Sequence, residues 1–539
     1  MNLIGNINAI PFRRFRGGGG VAPFPPFPSI PGITARYSAL GLTNEQMTAN
    51  PVWVDKTGNG HDLQMKNFAW KGMSGVGGYG DENHQTFYKF TLNDYVFVAS
   101  PPGAKHMNFT FRVTGLQPGN KLTLAFFGTT NTIYGTWDKD GIYTVNSAVV
   151  EVGKPVYFYN GYGSTRGEFT IEILPLYPGF ILGDGVDDFA VTEKELNFED
   201  TYTVYTAFIP FQVDPVRAME MCGKDFKKDF YLYYSNNHIV YYTSGLNNYI
   251  PVRINQFHII VCKRNKTNAV IKNLITGESK TFSVSELIDN PGVYYLWRYQ
   301  RSGTSTAKSA IAGQTICNGY FSTDEDDEKV LDWYKKQYPW LFPDQAWTVT
   351  GKTNEDEDRA TIANITGNGN NLVLSNFGFA EGSGYNEQGE YAGYLVTDGV
   401  DDKITSSIFE MGNDWTVIGD WELINTGKKD NAGIVKFDSI VIYNYNPILI
   451  NIKNGRNNLI PDQNTVNAIC SDGRIYSKDW KESIYNEETE STSKNFLTIG
   501  YSGNSYTKIA FKNLAIYPTV LSKEDCIKAY NYLQTLKAK

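Results

Sequence analysis

Cysteine is scarce in this sequence, and its spacing excludes two classes of small structured domain. The 539 residues contain five scattered cysteines without C-x-x-C spacing: Cys222, Cys262, Cys317, Cys470 and Cys526. Structural zinc sites and disulfide scaffolds need paired or closely spaced cysteines. We therefore expect free, buried thiols, and neither a zinc site nor a disulfide framework.

The sequence also lacks a net positive charge and long apolar runs. The net charge is −8, and the single basic cluster is Arg13, Arg14 and Arg16. Because nucleic-acid binding needs a broad basic surface, nucleic acid is not expected as a partner. No apolar run reaches the about 20 residues that a membrane helix needs. Asparagines interrupt the apolar residues of positions 1–12 and arginines follow them, unlike the pattern of a secretory signal peptide.

Common catalytic motifs are absent too. All histidines lie in the first half of the chain, and none forms an H-x-x-x-H pair: His61, His84, His106, His238 and His258. There is no G-x-S-x-G nucleophile elbow. There is also no E-x-D-x-x-E run that would place two carboxylates for glycoside hydrolysis. The sequence therefore predicts no enzyme, although a lyase that uses dispersed tyrosine and arginine stays open.

Aromatic residues and glycine are abundant. Aromatic residues make up 14% of the chain, with 36 tyrosines, and there are 51 glycines. Aromatic and β-branched runs separated by glycine and proline are typical of short strands joined by turns. For example, Asn236-Asn237 separates Tyr231-Leu232-Tyr233-Tyr234 from Ile239-Val240-Tyr241-Tyr242, which predicts a hairpin. We therefore predict an all-β protein.

Two motifs occur twice and indicate a duplicated module. Thr57-Gly58-Asn59-Gly60 returns 309 positions later as Thr366-Gly367-Asn368-Gly369. Asp184-Gly185-Val186-Asp187-Asp188 returns only 214 positions later as Asp398-Gly399-Val400-Asp401-Asp402. Self-similarity of this kind identifies repeated structural units. The first copy holds 95 more residues between the two motifs, so the unequal offsets predict an inserted domain.

These offsets divide the chain into four parts. Residues 1–34 are an extended N-terminal peptide, 35–85 with 179–343 form a first sandwich, 86–178 form a small inserted β-sandwich, and 344–539 form a second sandwich. Each sandwich is expected to close with a helix, because Ser322 and Ser522 begin cap-like sequences ahead of apolar stripes. Pro339 and Pro343 end the first of these helices and mark the boundary between the copies.

The N-terminal peptide interleaves aromatic and basic residues. Phe12, Arg13, Arg14, Phe15 and Arg16 precede four glycines and a proline-rich spacer. One interpretation is a disordered tail, and the other is an anchor that orders when it docks on a partner. In both cases flexible glycines and stiff prolines hold the globular part away from whatever the N-terminus contacts.

Two groups of acidic residues have the composition of cation sites. The repeated Asp-Gly-Val-Asp-Asp turns could contribute to calcium binding, but aspartates also shape β-turns by accepting backbone N–H groups. The run from Asp324 to Glu328 lies in the first turn of a predicted helix, where negative charge interacts favourably with the helix dipole. We favour the structural interpretation of both groups, so no cofactor is expected and calcium stays open.

Aromatic residues in turn-rich parts of the insertion are the best candidates for a binding contact. Tyr134, Trp137, Tyr143, Tyr159 and Tyr162 lie near glycine or aspartate as well as in strand-like runs. Exposed rings with polar edges suit a sugar or a protein partner. Packing beneath long loops is the alternative, and it is the more common fate of such residues.

The order of motifs resembles the laminin-G-like, or concanavalin A-like, lectin domain. The resemblance rests on T-G-N-G-x-x-L, then D-G-V-D-D, then several strands, then Ala515-Ile516-Tyr517 ahead of the helix start Leu521-Ser522-Lys523-Glu524. It covers both copies and implies two jelly-roll sandwiches, the first interrupted by the insertion. The same fold serves lectins, adhesion modules and glycosidases, so it specifies no single function.

The whole layout is similar to head- or tail-fibre proteins of tailed bacteriophages, including the crAss-like phages of Bacteroides. This resemblance implies a non-enzymatic structural protein of the virion, made in the bacterial cytoplasm and assembled as a homotrimer. It also implies that the N-terminal peptide binds other virion proteins and that the sandwiches attach to host surface glycans. The alternative is a carbohydrate-binding or carbohydrate-degrading protein of a bacterial surface.

Overall fold

The protein is described by a computed structural model. It describes residues 26–78, 87–90, 95–99, 105–127, 131–150, 156–160, 168–196, 198–212, 217–224, 227–243, 245–285, 292–298, 306–424, 433–437, 440–443, 449–452, 456–459, 466–477, 479–484, 497–502 and 505–538.

Twenty-four strands and two α-helices precede the boundary between the copies. In chain order they are β1 Ile33–Ser38, α1 Asn44–Ala49, β2 Val52–Trp53, β3 Leu63–Lys66, β4 Gly75–Val76, β5 Phe87–Phe90, β6 Tyr95–Ala99, β7 Lys105–Thr114, β8 Leu122–Phe127, β9 Asn131–Trp137, β10 Gly141–Val150, β11 Val156–Asn160, β12 Phe169–Ile173, β13 Ile181–Asp184, β14 Phe189–Thr192, β15 Tyr202–Pro210, β16 Arg217–Lys224, β17 Lys227–Ser235, β18 His238–Thr243, β19 Leu246–Pro251, β20 His258–Arg264, β21 Asn268–Asn273, β22 Ser279–Ser283, β23 Tyr294–Leu296, β24 Lys308–Asn318 and α2 Asp324–Gln337. A 3₁₀ helix, Pro339–Leu341, follows α2.

The first sandwich consists of two antiparallel sheets of eight strands each. The helix-side sheet has the order β22-β21-β20-β15-β24-β13-β4, with β1 also paired to β24. The outer sheet has the order β19-β18-β17-β16-β23-β14-β3-β2. Strand β15 is buried along its whole length, because Val204 and Phe208 face the outer sheet while Tyr205 and Ile209 face the layer that contains α2. A strand covered on both faces is apolar on both.

The insertion forms two four-stranded sheets, β10-β7-β12-β5 and β6-β11-β8-β9. Alternate side chains of these strands meet in a separate core, which contains Phe111, Leu122, Phe158 and Ile171. The strands between β4 and β13 therefore form a small sandwich of their own.

Eighteen strands and one α-helix follow in the described part of the chain, and sixteen of these strands form the two sheets of the second sandwich. They are β25 Gln345–Thr348, β26 Thr361–Ile362, β27 Leu372–Ser375, β28 Gly384–Tyr385, β29 Leu395–Val396, β30 Lys403–Ser406, β31 Thr416–Leu423, β32 Gly433–Phe437, β33 Ile440–Tyr443, β34 Leu449–Ile452, β35 Arg456–Leu459, β36 Val466–Cys470, β37 Arg474–Ser477, β38 Glu482–Ile484, β39 Thr498–Ile499, β40 Tyr501–Ser502, β41 Ser505–Tyr506, β42 Ile509–Tyr517 and α3 Lys523–Leu533.

Both sandwiches have the same strand order. The sheets of the second are β38-β37-β36-β31-β42-β29-β28, with β25 paired to β42, and β35-β34-β33-β32-β39-β30-β27-β26. Each of these strands occupies the position of a counterpart in the first sandwich. The all-β sandwich class expected from the sequence is confirmed.

The helix starts also agree with the sequence. Thr323 caps α2, since its Oγ1 accepts the N–H of Asp326 at 3.2 Å while Asp326 Oδ2 accepts the N–H of Thr323 at 3.0 Å. Ser522 caps α3 by accepting the N–H of Asp525 at 3.1 Å. The short helix α1, which Thr43 caps, was not expected. None of the helices that the structure describes is long and apolar enough to span a membrane.

The repeated T-G-N-G turn fixes the beginning of each sandwich. Thr57 Oγ1 and Asn59 Nδ2 donate to the carbonyl of Thr34 at 3.3 and 2.9 Å. Thr366 Oγ1 and Asn368 Nδ2 donate in the same way to the carbonyl of Asp344 at 3.0 and 2.6 Å. The turn requires glycine, since Gly58 has φ near +79° and only glycine adopts that region at no steric cost.

The two repeated motifs also contact each other. Asn67 Nδ2, just after the first turn, donates to the carbonyl of Asp187 at 3.0 Å. Asn376 Nδ2 donates to the carbonyl of Asp401 at 3.0 Å in the second sandwich. Both motifs are thus parts of one structural junction that the fold uses twice.

Four of the cysteines are buried thiols outside any disulfide, as expected: Cys262, Cys317, Cys470 and Cys526. Cys222 lies in β16, and its side chain is outside the described part of the structure.

Candidate functional site

The two sandwiches share a hydrophobic core. Helix α2, the 3₁₀ helix and α3 contribute to a cluster that includes Trp333, Tyr338, Tyr517 and Tyr530. The hydroxyl of Tyr517 donates to the carbonyl of Trp340 at 3.0 Å, which joins the second sandwich to the segment that links the copies. Because large aromatic side chains bury much apolar area, this junction is a stable support for a site between the sandwiches.

A cleft of about 310 Å³ opens at this junction. One wall comes from the beginning of β20 and the turn after β21, with Phe257 and Ile275. The linking segment forms the base, and the T-G-N-G turn of the second sandwich with the end of α3 forms the other wall. The cleft combines aromatic, apolar and charged lining residues at a junction between two sandwiches, so it is our candidate site.

Aromatic rings line the apolar part of the cleft. Phe257 and Phe342 lie edge to face with ring centroids 5.6 Å apart, and Phe342 is half-buried. The hydroxyl of Tyr532 accepts the backbone N–H of Phe257 at 3.0 Å, which ties α3 to the first sandwich. These contacts hold the rings in place before any ligand binds.

Two opposite charges face the same cleft. Lys335 and Asp344 both line it, and in the described part of the chain neither side chain has an ion pair or a hydrogen bond. Burial raises the pKa of the Asp344 carboxyl, and the Lys335 ammonium acts in the opposite direction. An exposed carboxylate and an exposed ammonium, neither of which has a hydrogen bond or ion pair within the described residues, are available to a polar ligand.

His258 also borders the cleft, but its ring is committed to the fold. Its Nε2 lies 3.0 Å from the Arg253 carbonyl, and its Nδ1 lies 3.0 Å from Asn273 Nδ2. Burial lowers the pKa of His258 to about 4, so the ring is neutral at physiological pH.

Asp344 is the one carboxylate among the described lining residues, whereas glycoside hydrolysis uses a pair of carboxyl groups.

The structure places the aromatic residues that the sequence singled out at the edge of the insertion's core. Tyr134, Trp137 and Tyr143 pack against that core, and the Trp137 and Tyr143 rings are 5.4 Å apart. Tyr159 is half-buried on β11. Tyr162 and the anchor residues Phe12 to Arg16 lie outside the described residues. The binding role of all these residues stays a prediction.

The insertion contacts the second sandwich beside this aromatic group. Trp480 Nε1 donates to Thr144 Oγ1 at 3.0 Å, and Thr110 Oγ1 donates to Asn531 Oδ1 at 2.7 Å. Burial raises the pKa of Tyr143, and the charge of Asp479 adds to this effect. Part of the insertion's aromatic surface is therefore next to protein rather than open solvent.

The acidic turns bring three carboxylates together in each sandwich: Asp184, Asp187 and Asp188, and Asp398, Asp401 and Asp402. Two of the three carboxylates in each turn use an oxygen to hold the turn's backbone. Asp188 Oδ2 accepts the N–H of Asp184 at 2.9 Å, and Asp184 Oδ1 accepts the N–H of Val186 at 2.7 Å. The Asp187 carbonyl is held by Asn67.

Calcium fits this arrangement poorly. Calcium takes six to eight oxygen ligands, whereas each described turn brings together only three carboxylates, and two of them already accept backbone N–H groups. Burial raises the pKa of Asp188 to about 7 and that of Asp402 to about 6. The oxygen Oδ1 of each has no hydrogen-bond partner among the described residues. We assign the turns a structural role.

The sequence did not select the cleft residues, because they come from four segments that are far apart in the chain. The sequence did contain one signal for the location of the cleft. Pro339 and Pro343 marked the boundary at which Asp344 begins the second copy. A boundary between duplicated modules is a common place for a ligand site.

No protein-family model matches the sequence, and no curated protein matches it at a significant level. Solved structures give only distant likenesses. The binding domain of botulinum neurotoxin serotype G matches with 10% identity and a TM-score of 0.28 over 63% of this chain and 90% of that one. The CBM40 domain of the Ruminococcus gnavus IT-sialidase, bound to α2,3-sialyllactose, matches with 14% identity and a TM-score of 0.21 over 25% of this chain and 83% of that one.

A Trypanosoma rangeli sialidase matches with 9% identity and a TM-score of 0.25 over 30% of this chain. The match spans only 28% of the length of that sialidase. TM-scores and identities this low support no more than a general likeness between β-rich domains. The function therefore has to be argued from this chain's own residues.

Proposed function

We propose that the chain is a non-enzymatic attachment protein that binds a glycan in the cleft between its two sandwiches. The observation that carries this proposal is the combination of aromatic rings with unpartnered polar groups at one concave site. Phe257 and Phe342 offer apolar surfaces beside the Lys335 ammonium and the Asp344 carboxylate. A pyranose ring has apolar faces and hydroxyl groups around its edge, so it matches both kinds of surface.

The size of the cleft favours a short ligand segment. Its volume of about 310 Å³ is at the lower end of the roughly 300–1,000 Å³ that is usual for ligand pockets. One or two sugar units fit this volume better than a long chain does. Asp344 accepts hydrogen bonds from sugar hydroxyls, and Lys335 donates to them.

Removing the carboxylate is expected to weaken glycan binding by about tenfold or more. A hydrogen bond to a charged group contributes about 1.5–3 kcal/mol, and about 1.4 kcal/mol corresponds to a factor of ten. The ligand is first selected on a glycan array with the full chain, and titration calorimetry then compares wild type with Asp344→Ala and Phe342→Ala.

The matched control is Asp332→Ala, because Asp332 is an exposed carboxylate on α2 outside the cleft. It should bind like wild type, and thermal unfolding should show that all variants are folded. A folded wild type that binds no glycan on the array would refute the proposed function. Equal affinity of Asp344→Ala and wild type would exclude the cleft as the site.

Within this proposal, the chain is a head- or tail-fibre protein of a bacteriophage virion, present as a homotrimer. The support comes from the sequence: the Phe12–Arg16 segment with its flexible joint precedes modules of a lectin-like type. The N-terminal peptide would dock on other virion proteins and leave the sandwiches exposed to the host surface.

Deleting residues 1–20 is expected to abolish incorporation into virions while the soluble protein stays folded. The reason is that the deletion removes the only candidate anchor and leaves the sandwiches complete. Incorporation is measured on purified particles by immunoblot, with circular dichroism of the soluble variant as the control. Normal incorporation of the deletion variant would contradict the anchor role.

A further inference from the structure

The outer sheet of the first sandwich has two different faces. Along β17, Phe230, Leu232 and Tyr234 are fully buried in the sandwich core. Because side chains alternate along a strand, Tyr231 and Tyr233 point to the opposite face. Tyr231 is directly across from Tyr242 on β18.

Four tyrosines form a cluster on that opposite face, which we call the tyrosine face: Tyr231, Tyr233, Tyr242 and Tyr295. The rings of Tyr231 and Tyr233 are nearly parallel, 4.7 Å between centroids and 22° between planes. The ring of Tyr242 is 6.5 Å from that of Tyr231. The four rings are an apolar cluster separate from the cores of the sandwiches, and Tyr233, Tyr242 and Tyr295 are half-buried rather than buried.

Polar groups border these rings. The Tyr233 hydroxyl donates to Asn247 Oδ1 at 3.1 Å. Farther along the same edge, Tyr249 is 51% exposed, and the Lys280 ammonium lies 4.5 Å from the centre of its ring. The surface therefore combines flat ring faces with amide, hydroxyl and ammonium groups.

The duplication supplies an internal comparison. By strand order, β33 and β34 of the second sandwich are the counterparts of β17 and β18. They read Ile440-Val441-Ile442-Tyr443 and Leu449-Ile450-Asn451-Ile452, with a single tyrosine. Strands β17 and β18 carry five tyrosines, so the strand order that both sandwiches share does not by itself require tyrosines at these positions.

We infer that the tyrosine face of the first sandwich is a second glycan-binding site, which takes an extended chain of several sugar units across β17 and β18. Stacking of pyranose faces on the rings supplies the apolar contact, and the bordering hydroxyl and amide groups meet the sugar hydroxyls. A peptide partner fits less well, since a protein interface of standard size needs about 800 Å² on each partner, far more than one buried and three half-buried rings offer. The site does not depend on the cleft.

The test uses affinity electrophoresis of the full chain in gels that contain xylan, barley mixed-linkage glucan or alginate. At least one of these polysaccharides should retard the wild-type protein. The double variant Tyr233→Ala/Tyr242→Ala should lose at least tenfold in affinity. Tyr233→Phe/Tyr242→Phe should keep most of the binding, because it keeps the rings. Tyr391→Ala, a half-buried tyrosine of the second sandwich, is the matched control and should bind like wild type.

A measurement on the wild-type protein covers the case in which the alanine variant does not fold. The polysaccharide should protect Tyr233 and Tyr242 from nitration by tetranitromethane, as read by peptide mass spectrometry. The inference is overturned if no polysaccharide retards the wild type, if Tyr391→Ala loses as much affinity as the double variant, or if nitration is unaffected. Loss of binding in Asp344→Ala but not in the tyrosine variant would leave the cleft as a site and refute this one.

Discussion

Replacing Asp327 by alanine is expected to destabilise the first sandwich by about 3–5 kcal/mol, the usual cost of leaving one partner of a buried ion pair alone. Lys263 Nζ lies 2.8 Å from Asp327 Oδ2, and the two side chains are only 5% and 4% exposed. The Tyr205 hydroxyl donates to Asp327 Oδ1 at 3.0 Å. The variant would therefore leave the buried Lys263 ammonium without its counter-ion, with only the Ser322 carbonyl as acceptor at 3.0 Å, and would take away the acceptor of the Tyr205 hydroxyl.

Chemical denaturation followed by tryptophan fluorescence measures this loss. Asp324→Ala is the matched control. Asp324 also lies in the first turn of α2 and pairs with Lys272, but its side chain is 87% exposed. Exposed ion pairs contribute about 0–1 kcal/mol, so the control should change little. The double variant Lys263→Met/Asp327→Leu should recover most of the stability, since it removes both charges together. An equal loss of unfolding free energy in Asp327→Ala and Asp324→Ala would disprove that the buried Lys263–Asp327 pair holds this part of the sandwich.

Replacing Trp480 by alanine is expected to cost about 3–5 kcal/mol, as is typical for a buried tryptophan. The side chain is 1% exposed, and its ring lies edge to face with Tyr530 at 5.6 Å. Its Nε1 donates to Thr144 in the insertion at 3.0 Å. The variant would leave a cavity at the contact between the insertion and the second sandwich, and Thr144 would lose this partner.

The expected signature is a loosened insertion as well as a lower unfolding temperature. Limited proteolysis should cut the insertion faster in Trp480→Ala than in wild type. Trp480→Phe loses the hydrogen bond and part of the buried volume but keeps an aromatic ring, so it should fall between the two. Since the chain has several domains, the unfolding transitions are resolved by calorimetry rather than fitted as one. An unchanged proteolysis rate in Trp480→Ala would show that the contact does not hold the insertion.

Local features of this fold could be predicted from the sequence, because they depend on neighbouring residues. The hairpin around Asn236-Asn237 is present, and both residues have positive φ, 48° and 60°, as a tight turn requires. The acidic run from Asp324 to Glu328 is part of a helix start, where Asp326 completes the cap. Turn and cap chemistry leaves a clear local signature.

Features that depend on distant contacts could not be predicted. The hairpin prediction placed Tyr231 and Tyr233 in one strand, but it did not indicate which face of that strand another layer covers. Asp327 belonged to an acidic run that was explained by the helix dipole, and its buried partner Lys263 is 64 positions away. The cleft required the relative placement of two complete sandwiches, which no local pattern encodes.

The T-G-N-G turn has one more consequence, which concerns the entropy of binding. In the second sandwich the turn holds the carbonyl of Asp344 with two hydrogen bonds, while the carboxylate of the same residue lines the cleft. The backbone of this residue is thus ordered before a ligand arrives, and a preorganised group loses less conformational freedom on binding. The first sandwich holds the carbonyl of Thr34 in the same way. The duplicated turn thus fixes the same main-chain position in both sandwiches without constraining the residue type there. That residue is Asp344, with a carboxylate, in the second sandwich and Thr34, with a hydroxyl, in the first.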